Sequence, residues 1–274
     1  MDERELDRLV EAVLGSPKYA TVAPDFVRAI GAQELAGRRS LKEAVKATKN
    51  KLHQIGGAYL SGRLDYAAWL DKLREVHRSG DEAGFRRVCA SVMRHHSSTK
   101  ERLPVLDAFY ATALAGLPPI RAVLDVACGL NPLAIPWMGL AADVEYYACD
   151  VYCDMVGFLN EFLVLIGVGG RVEVCDLIHV CPTRKVDLAL ALKTIPCLEQ
   201  VDKSAGRRLL ETLEADHLLV SFPARSLGGR GKGMPVNYEN HFRELVAGKN
   251  WAIRRFEFAT ELAFVVSKDG GAFN

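Results

Sequence analysis

The sequence predicts an α/β protein in which a helical N-terminal domain precedes a mainly parallel β-sheet. Up to about residue 105, apolar side chains recur at helical spacing, which indicates a series of amphipathic helices. Beyond residue 119, short apolar runs alternate with helical stretches, the pattern of a parallel sheet. The chain closes with two strand-like runs, 251–258 and 261–267, joined by a very short connection. We expect these runs to form an antiparallel hairpin at the end of the sheet.

The predicted domains are residues 1–105, all helical, and residues 106–274, alternating strand and helix. Glycine, serine and proline clusters separate the helical stretches of the first domain. In the second domain the predicted strands are 121–127, 144–149, 171–175, 186–192 and 217–222. The predicted helices are 133–140, 153–167, 202–214 and 237–247.

Composition narrows the class of protein. The chain has 274 residues, of which 49% are hydrophobic, so it has ample material for a folded core. Its apolar runs are short, and the N-terminus lacks the basic-then-apolar form of a signal peptide, so we expect a cytoplasmic monomer with no membrane partner. The seven cysteines show no C-x-x-C pair and no histidines at ligand spacing. We expect reduced thiols and no metal.

Positive charge is concentrated in the first domain, where 19 Lys and Arg outnumber 14 Asp and Glu; the remainder has 16 and 20. Lys42, Lys46 and Lys49 recur at helical spacing and therefore share one helix face. Such a face can bind the phosphates of a nucleic acid, or it can be an ordinary solvated surface, and charge alone leaves both interpretations open. The residues predicted to bind RNA in this stretch are Arg38, Arg39, Lys42, Lys46, Lys49 and Lys51.

The first two predicted strands carry the clearest sign of a cofactor site. Strand 121–127 runs into a turn at Gly129, and the next strand is followed at once by Asp150. An acid in this position lies at the carboxyl edge of a parallel sheet, where an adenosine cofactor can be held. An NAD fingerprint would need three glycines spaced G-x-G-x-x-G, and here only Gly129 is present. The pattern therefore favours a cofactor without a pyrophosphate.

The segment 125–132, D-V-A-C-G-L-N-P, resembles motif I of the class I (Rossmann-like) S-adenosylmethionine-dependent methyltransferases. The resemblance implies a seven-stranded sheet and S-adenosylmethionine as cofactor. It also implies that Gly129 approaches the methionine moiety and that Asp150 binds both ribose hydroxyls.

Longer motifs make the resemblance more specific. Residues 96–103 read H-S-S-T-K-E-R-L, residues 127–133 read A-C-G-L-N-P-L, and residues 221–234 read S-F-P-A-R-S-L-G-G-R-G-K-G-M. Together they resemble the aminoglycoside-resistance 16S rRNA methyltransferases that modify N7 of a guanine in the ribosomal decoding site. The implied partner is 16S rRNA within the 30S subunit.

The resemblance assigns roles to particular residues. It implies that Lys193 and Arg230 act close to the target nucleotide, that Asp176 contacts the adenine and that Arg102 lies near the methionine carboxylate. For Arg102, a surface salt bridge with Glu101 or Asp107 is the alternative. The implied cofactor-binding set is Arg102, Asp125, Ala127, Gly129, Asn131, Asp150, Asp176 and Leu177. The loop implied to order on RNA contributes Arg225, Arg230 and Lys232.

The chemistry of the target can be checked against the sequence. Guanine N7 carries an in-plane lone pair and needs no general base. Enzymes that methylate amino groups place an Asn/Asp-Pro-Pro-aromatic motif after the fourth strand, whereas this chain has I-P-C-L at 195–198. Cys197 leaves open a cytosine C5 methyltransferase that uses the thiol as nucleophile, although a packing role for Cys197 is favoured. A cofactor-sensing RNA-binding protein without turnover is the alternative outside enzymes.

Overall fold

The computed structural model describes residues 2–57, 60, 64–224 and 233–269. Arg225, Arg230 and Lys232 lie outside the described residues, so their predicted roles in RNA binding and catalysis stay predictions.

Among the described residues before the sheet, seven segments are α-helices. Several begin at a residue whose side chain accepts a hydrogen bond from the first turn, as Ser40 accepts from the amide of Glu43 and Asp65 from that of Ala68. A π-helical turn, His53–Gly57, directly follows the third helix. The helices are α1 Glu3–Leu14, α2 Pro24–Ala36, α3 Leu41–Leu52, α4 Tyr66–Ser79, α5 Glu82–Met93, α6 Ser97–Arg102 and α7 Leu106–Ala113.

The sheet has seven strands in the order β3-β2-β1-β4-β5-β7-β6, and only β7 runs antiparallel to its neighbours on both sides. This arrangement confirms the predicted seven-stranded α/β fold. The apolar strand β4 is almost wholly buried at the centre of the sheet, as its unbroken hydrophobic run requires. The strands are β1 Ala122–Val126, β2 Glu145–Asp150, β3 Gly169–Val174, β4 Val186–Leu192, β5 Ala215–Pro223, β6 Ala252–Glu257 and β7 Glu261–Ser267.

The strands agree with the predicted runs to within about two residues, but one predicted helix is wrong. Residues 133–140 do not form a continuous helix; a 3-10 turn over Asn131–Ala134 leads into the single turn α8, Ile135–Met138. Pro132 and Pro136 remove backbone donors there, which limits the helix length. The other helices of this region are α9 Cys153–Leu165, α10 Ile195–Leu198, α11 Ala205–Thr212 and α12 Met234–Leu245.

The segment before α2 is joined to the segment after β2 by main-chain hydrogen bonds. The amide of Ala23 donates to the carbonyl of Val151 at 2.8 Å, and the amide of Cys153 donates to the carbonyl of Thr21 at 2.8 Å. Buried side chains of the helical region and of the sheet belong to one hydrophobic cluster. The helices are therefore anchored beside the carboxyl end of β2. The domain boundary at residue 105 stays a prediction.

No helix in the described part of the chain is both long and apolar enough to cross a membrane.

Candidate active site

A cleft lies at the carboxyl ends of β1, β2 and β4, at the edge where ligands of open α/β sheets bind. The empty space inside it, counted together with the open solvent at its mouth, is about 680 Å³. Three of its wall residues, Phe26, Ile55 and Gly56, come from α2 and the π-helical turn. The other lining residues are His96, Ser98, Ala127, Asp150, Val151, Tyr152, Cys175, Leu177, Ile178, Leu192, Lys193, Thr194, Cys197 and Leu198.

Asp150 ends β2 and is the acid that the sequence predicts at this edge. One carboxylate oxygen accepts a hydrogen bond from the amide of Gly129 at 2.9 Å, and the other accepts from the amide of Val151 at 2.7 Å. Burial raises the pKa of Asp150, and these backbone donors act against that rise. The Tyr152 amide also stabilises the charged carboxylate, which faces the cleft and has lone pairs beyond those that these amides use.

The backbone bends sharply at the ends of two strands that face the cleft. Ala127 and Gly129 after β1 have φ of 49° and 52°, and Lys193 after β4 has φ of 59°. Positive φ is rare for residues with a side chain, and such strain collects at binding sites. At Gly129 a Cβ atom would lie 2.7 Å from the imidazole of His96. Only glycine therefore fits at that position while His96 keeps its place.

The loop after β3 closes another side of the cleft. Leu177 lines the cleft together with Ile178, and its predicted role in binding the cofactor stays a prediction. The Asp176 carboxylate accepts a hydrogen bond from the amide of Ile178 at 2.9 Å and lies 2.5 Å from Nδ1 of His179. Asp176 thus shapes this loop, and its predicted contact with adenine stays a prediction.

Asp125 and Asn131 belong to a buried polar network beneath the turn at Gly129. The Asn131 amide donates to the Asp125 carboxylate at 2.8 Å, and the Tyr146 hydroxyl donates to the same oxygen at 2.8 Å. The Tyr110 hydroxyl donates to the side-chain oxygen Oδ1 of Asn131 at 2.6 Å. Burial raises the pKa of Asp125 to about 6. Both residues fix the shape of the turn between β1 and α8, and neither lines the cleft.

Arg102 is fully buried and pairs with Glu261. Its Nη2 lies 2.7 Å from Oε1 of Glu261, and its Nε lies 3.0 Å from Oε2. Nη1 donates to the side-chain oxygen Oδ1 of Asn131 at 2.8 Å. The alternative of a surface salt bridge with Glu101 or Asp107 is therefore wrong, because the guanidinium turns inward toward the start of β7. Its predicted place beside the methionine carboxylate stays a prediction.

Lys193 lines the cleft and is held by neighbouring acids. Its Nζ lies 2.7 Å from Oε2 of Glu101 and 3.5 Å from Oε2 of Glu261. The Ser221 hydroxyl accepts a hydrogen bond from the amide of Lys193 and donates one to Glu261, 2.5 Å away. Burial would raise the pKa of Glu261, but the charges of Arg102 and Lys193 outweigh it and lower that pKa.

His96 is a partly buried cleft residue that the sequence did not single out. Burial lowers its pKa to about 4, and the charges of Arg102 and Lys193 act in the same direction. The imidazole is therefore neutral at neutral pH. It stands against Gly129 and forms part of the wall beside the predicted methionine site.

Helix α3 carries the predicted basic face, but its lysines differ in environment. Lys42 and Lys46 are exposed, and no ion-pair partner for them lies in the described part of the chain. Lys49 is partly buried and donates to the Ser16 hydroxyl at 2.6 Å, while Lys51 donates to the carbonyl of Gln200 at 2.9 Å. The outer lysines are thus free for phosphates, and the inner ones brace α3 against its neighbours.

The remaining residues of this basic stretch lie just before α3. Arg38 pairs with Glu34 at 2.9 Å, and the backbone amide of Arg39 donates to the carboxylate of Glu43. Because α3 leads directly into the π-helical turn that lines the cleft, the basic stretch and the cleft are adjacent. RNA binding by these residues stays a prediction.

The Cys197 thiol lines the cleft and donates to the carbonyl of Lys193 at 3.3 Å. Among the described residues, no three His, Cys, Asp or Glu side chains converge as metal ligands would. The expectation that the protein needs no metal stays a prediction.

Several residues that line the cleft or lie beside it were not predicted from the sequence. Glu101 and His96 lie inside the motif at 96–103, so the motif could have identified them. Phe26, Ile55 and Glu261 are far from the motifs in sequence, and only the folded chain brings them to the site.

Comparison with known proteins identifies the family. Residues 15–265 match the family model described as ribosomal RNA methyltransferase (FmrO). A 16S rRNA (guanine(1405)-N(7))-methyltransferase of Micromonospora echinospora is 38% identical over 97% of this chain and 98% of its own. The protein of the same name from Frankia casuarinae is 40% identical over 97% of this chain and 95% of its own. The protein of this name from Serratia marcescens is 34% identical over 94% of this chain and 97% of its own.

Solved structures agree with the sequence comparison. The crystal structure of the 16S rRNA methyltransferase RmtF in complex with S-adenosyl-L-homocysteine is 33% identical, with a TM-score of 0.82, and covers 98% of this chain and 99% of that one. The structure of the 16S rRNA methylase RmtB is 28% identical, with a TM-score of 0.78, and covers 96% of this chain and 98% of that one. These matches span almost the whole length and confirm the resemblance seen in the motifs, so the chain belongs to the FmrO family of ribosomal RNA methyltransferases.

Proposed function

We propose that this enzyme is a 16S rRNA (guanine(1405)-N7)-methyltransferase that uses S-adenosylmethionine, acts on the 30S subunit and confers aminoglycoside resistance. The observation that carries the proposal is the cleft at the carboxyl edge of the sheet, where the Asp150 carboxylate and Lys193 face one space. The relatives of the same full length that bear this activity in their names support it.

The residues present fit an adenosine cofactor with a methionine tail. Asp150 offers two carboxylate oxygens to the ribose hydroxyls, and Leu177 and Ile178 offer an apolar wall to the adenine. His96 packs closely against Gly129, and both lie beside the predicted place of the methionine tail. When bound, S-adenosylmethionine supplies an electrophilic methyl group and leaves as a neutral thioether.

The chemistry of the proposed target atom requires no general base. Guanine N7 attacks with a lone pair and carries no proton, so the protein has to position the base and accommodate the positive charge that the ring gains. His96 is held neutral, and the Lys193 charge is balanced by Glu101. Neither group adds an unbalanced positive charge where the purine becomes cationic.

The exposed lysines of α3 are proposed to dock on 16S rRNA. Lys42 and Lys46 would neutralise phosphates, and the π-helical turn after α3 then brings the cleft against the docked RNA. The target guanine has to leave its stack to present N7 inside the cleft.

Mapping the methylated nucleotide tests the proposal. Purified enzyme is incubated with S-adenosylmethionine and 30S subunits from a susceptible bacterium, and 7-methylguanine is located by chemical strand cleavage and primer extension. We expect new cleavage at guanine 1405, and weaker cleavage there with Asp150→Ala when S-adenosylmethionine is below saturation. Methylation at a cytosine, with loss of activity in Cys197→Ser, would instead support the C5 alternative. Tight 30S binding without methyl transfer would support the non-catalytic alternative.

A further inference from the structure

We propose that Lys193 and Glu101 act together as the reader of the target base, with Lys193 donating to O6 of guanine and Glu101 accepting from its N1–H. This inference rests on the proposed function and adds a specificity role for Glu101, which lies in the motif at 96–103. Glu101 would contact the substrate directly and would set the preference for guanine over adenine.

The two side chains are already paired beside the cleft. Nζ of Lys193 lies 2.7 Å from Oε2 of Glu101 and 3.4 Å from the carbonyl of Ser98. Lys193 and Ser98 both line the cleft, and Glu101 is on the same face of α6 as Ser98, three residues on. The Lys193 side chain is 5% exposed, whereas that of Glu101 is 30% exposed. The carboxylate is thus the more accessible partner of the pair.

Both groups keep hydrogen-bonding capacity. An ammonium has three donors, and Lys193 makes one short contact, to Glu101, and two long ones, to Ser98 and Glu261. The Glu101 carboxylate has lone pairs beyond the one directed at Lys193. Guanine O6 can therefore replace one of the two long contacts of Lys193, to Ser98 or to Glu261, while the short ion pair with Glu101 is kept.

Guanine presents an acceptor and a donor side by side, since O6 and N1–H belong to neighbouring ring positions. A cation next to a carboxylate is complementary to that order. Adenine presents the reverse, an amino donor at position 6 and an acceptor at N1. It would place its amino group against an ammonium and its lone pair against a carboxylate, and both contacts are repulsive.

The same pair also suits the reaction. O6 and N7 lie side by side on one edge of guanine. A lysine that binds O6 therefore also holds N7 near Lys193. As the ring becomes positive during methylation, its N1–H becomes a stronger donor, so its hydrogen bond to Glu101 strengthens. Glu101 also offsets the Lys193 charge, which alone would oppose a cationic ring.

The substitution Glu101→Gln tests how much the Glu101 carboxylate contributes to the rate of methylation. We expect the single-turnover methylation rate on 30S subunits to fall by about tenfold or more, while the affinities for S-adenosylmethionine and for 30S stay within about twofold. Glu101→Asp, which keeps a carboxylate, should recover part of the rate. Asp107→Asn, an exposed residue on the following helix, is the matched control and should leave the rate unchanged. An unchanged rate in Glu101→Gln, or a parallel loss of cofactor affinity, would overturn the proposal.

A second experiment needs only the unmodified enzyme. 30S subunits are reconstituted with 16S rRNA that carries guanine, inosine or adenine at the target position. Inosine keeps O6 and N1–H but lacks the 2-amino group, so we expect inosine to be methylated nearly as fast as guanine and adenine to be methylated at least about a hundredfold more slowly. Equal rejection of inosine and adenine, or equal acceptance of adenine, would show that the edge at O6 and N1 is not read. Failure to methylate the guanine subunits would instead count against the proposed function.

Discussion

Arg102 and Glu261 form a fully buried ion pair across 159 positions of sequence, between the last turn of α6 and the first residue of β7. The pair ties the segment before the sheet to the terminal hairpin, and Glu261 also approaches the Lys193 ammonium. The antiparallel strand β7 therefore affects the cleft electrostatically. Glu261 does not line the cleft, but its charge acts on Lys193, which does.

Removal of Glu261 should destabilise the fold strongly. Glu261→Ala leaves the guanidinium of Arg102 buried without its counter-charge, which costs about 3–5 kcal/mol of unfolding free energy. Urea unfolding measures the loss. Glu257→Ala is the matched control, because Glu257 lies at the other side of the same hairpin turn and pairs with Arg255 in solvent. Its loss should stay below about 1 kcal/mol. Equal effects of the two substitutions would contradict the role given to the buried pair.

Asp150→Ala should weaken cofactor binding without unfolding the protein. If Asp150 binds both ribose hydroxyls as proposed, the change removes two charge-assisted hydrogen bonds, and calorimetry with S-adenosylmethionine should show at least about a tenfold loss of affinity. Asp143→Ala, an exposed acid before β2, should bind the cofactor normally. Unchanged affinity in Asp150→Ala would remove Asp150 from the site.

Local sequence patterns predicted the sheet and the cofactor edge because both depend on neighbouring residues. A strand, a glycine turn and an acid after the next strand identify Gly129 and Asp150 within about twenty residues of each other. The partners of Arg102 and Lys193 could not be predicted in this way. Glu261 reaches them only because β7 inserts beside β5, which places Glu261 opposite Pro223. Tertiary pairing of this kind leaves no periodic signal in the sequence.

Gly129→Ala should disrupt the cleft by steric conflict. Gly129 and Gly139 both have positive φ, so alanine at either position costs about 1 kcal/mol in backbone strain. Only at Gly129 does the new Cβ meet another group, the His96 imidazole at 2.7 Å; nothing lies within 4 Å at Gly139. We expect Gly129→Ala to lose cofactor affinity by about tenfold or more and Gly139→Ala to retain it.

A double variant identifies the cause of that loss. If the conflict is with the imidazole, Gly129→Ala combined with His96→Ala should bind the cofactor better than Gly129→Ala alone. A double variant that is no better would attribute the loss to the backbone.

His96 should make stability depend on pH. Its pKa is lowered to about 4 in the fold, against 6.5 in an unfolded chain, so between these values the unfolded state binds a proton that the native state does not. The stability that His96 contributes is therefore present above pH 6.5 and declines as the pH falls, by about 1.4 kcal/mol per unit. Relative to His96→Gln, the natural protein should lose about 2 kcal/mol between pH 7 and pH 5.

Urea unfolding of both proteins at the two pH values measures this difference. Burial raises the pKa of Asp125 to about 6, so this carboxyl favours the native state as the pH falls, the opposite direction. Asp125 is present in both proteins, and the comparison cancels its effect. The same stability difference at pH 7 and pH 5 would mean that the His96 pKa is not shifted.

Charge reversal on α3 tests whether the outer face of this helix docks on RNA. Because the lysines of α3 differ in exposure, only the exposed ones are suitable for substitution. Lys42 and Lys46 are exposed, so Lys42→Glu with Lys46→Glu should leave the fold intact. If each contacts a phosphate, 30S affinity should fall, and the slope of its logarithm against log salt should become shallower by about two. Cofactor affinity, measured by calorimetry, should not change.

Lys49 should behave differently from its two neighbours, because its ammonium contacts Ser16 at 2.6 Å and its carbonyl accepts from Tyr19. Lys49→Glu would bring a carboxylate against that packed contact and should lower the free energy of unfolding by about 1 kcal/mol or more.

The control for the double variant of Lys42 and Lys46 is Lys72→Glu with Arg78→Glu, an equal charge reversal on α4. If both double variants weaken 30S binding equally, the effect is one of net charge, and α3 is an ordinary solvated surface. A loss confined to Lys42 and Lys46 would assign the docking face to α3, directly before the π-helical turn that lines the cleft.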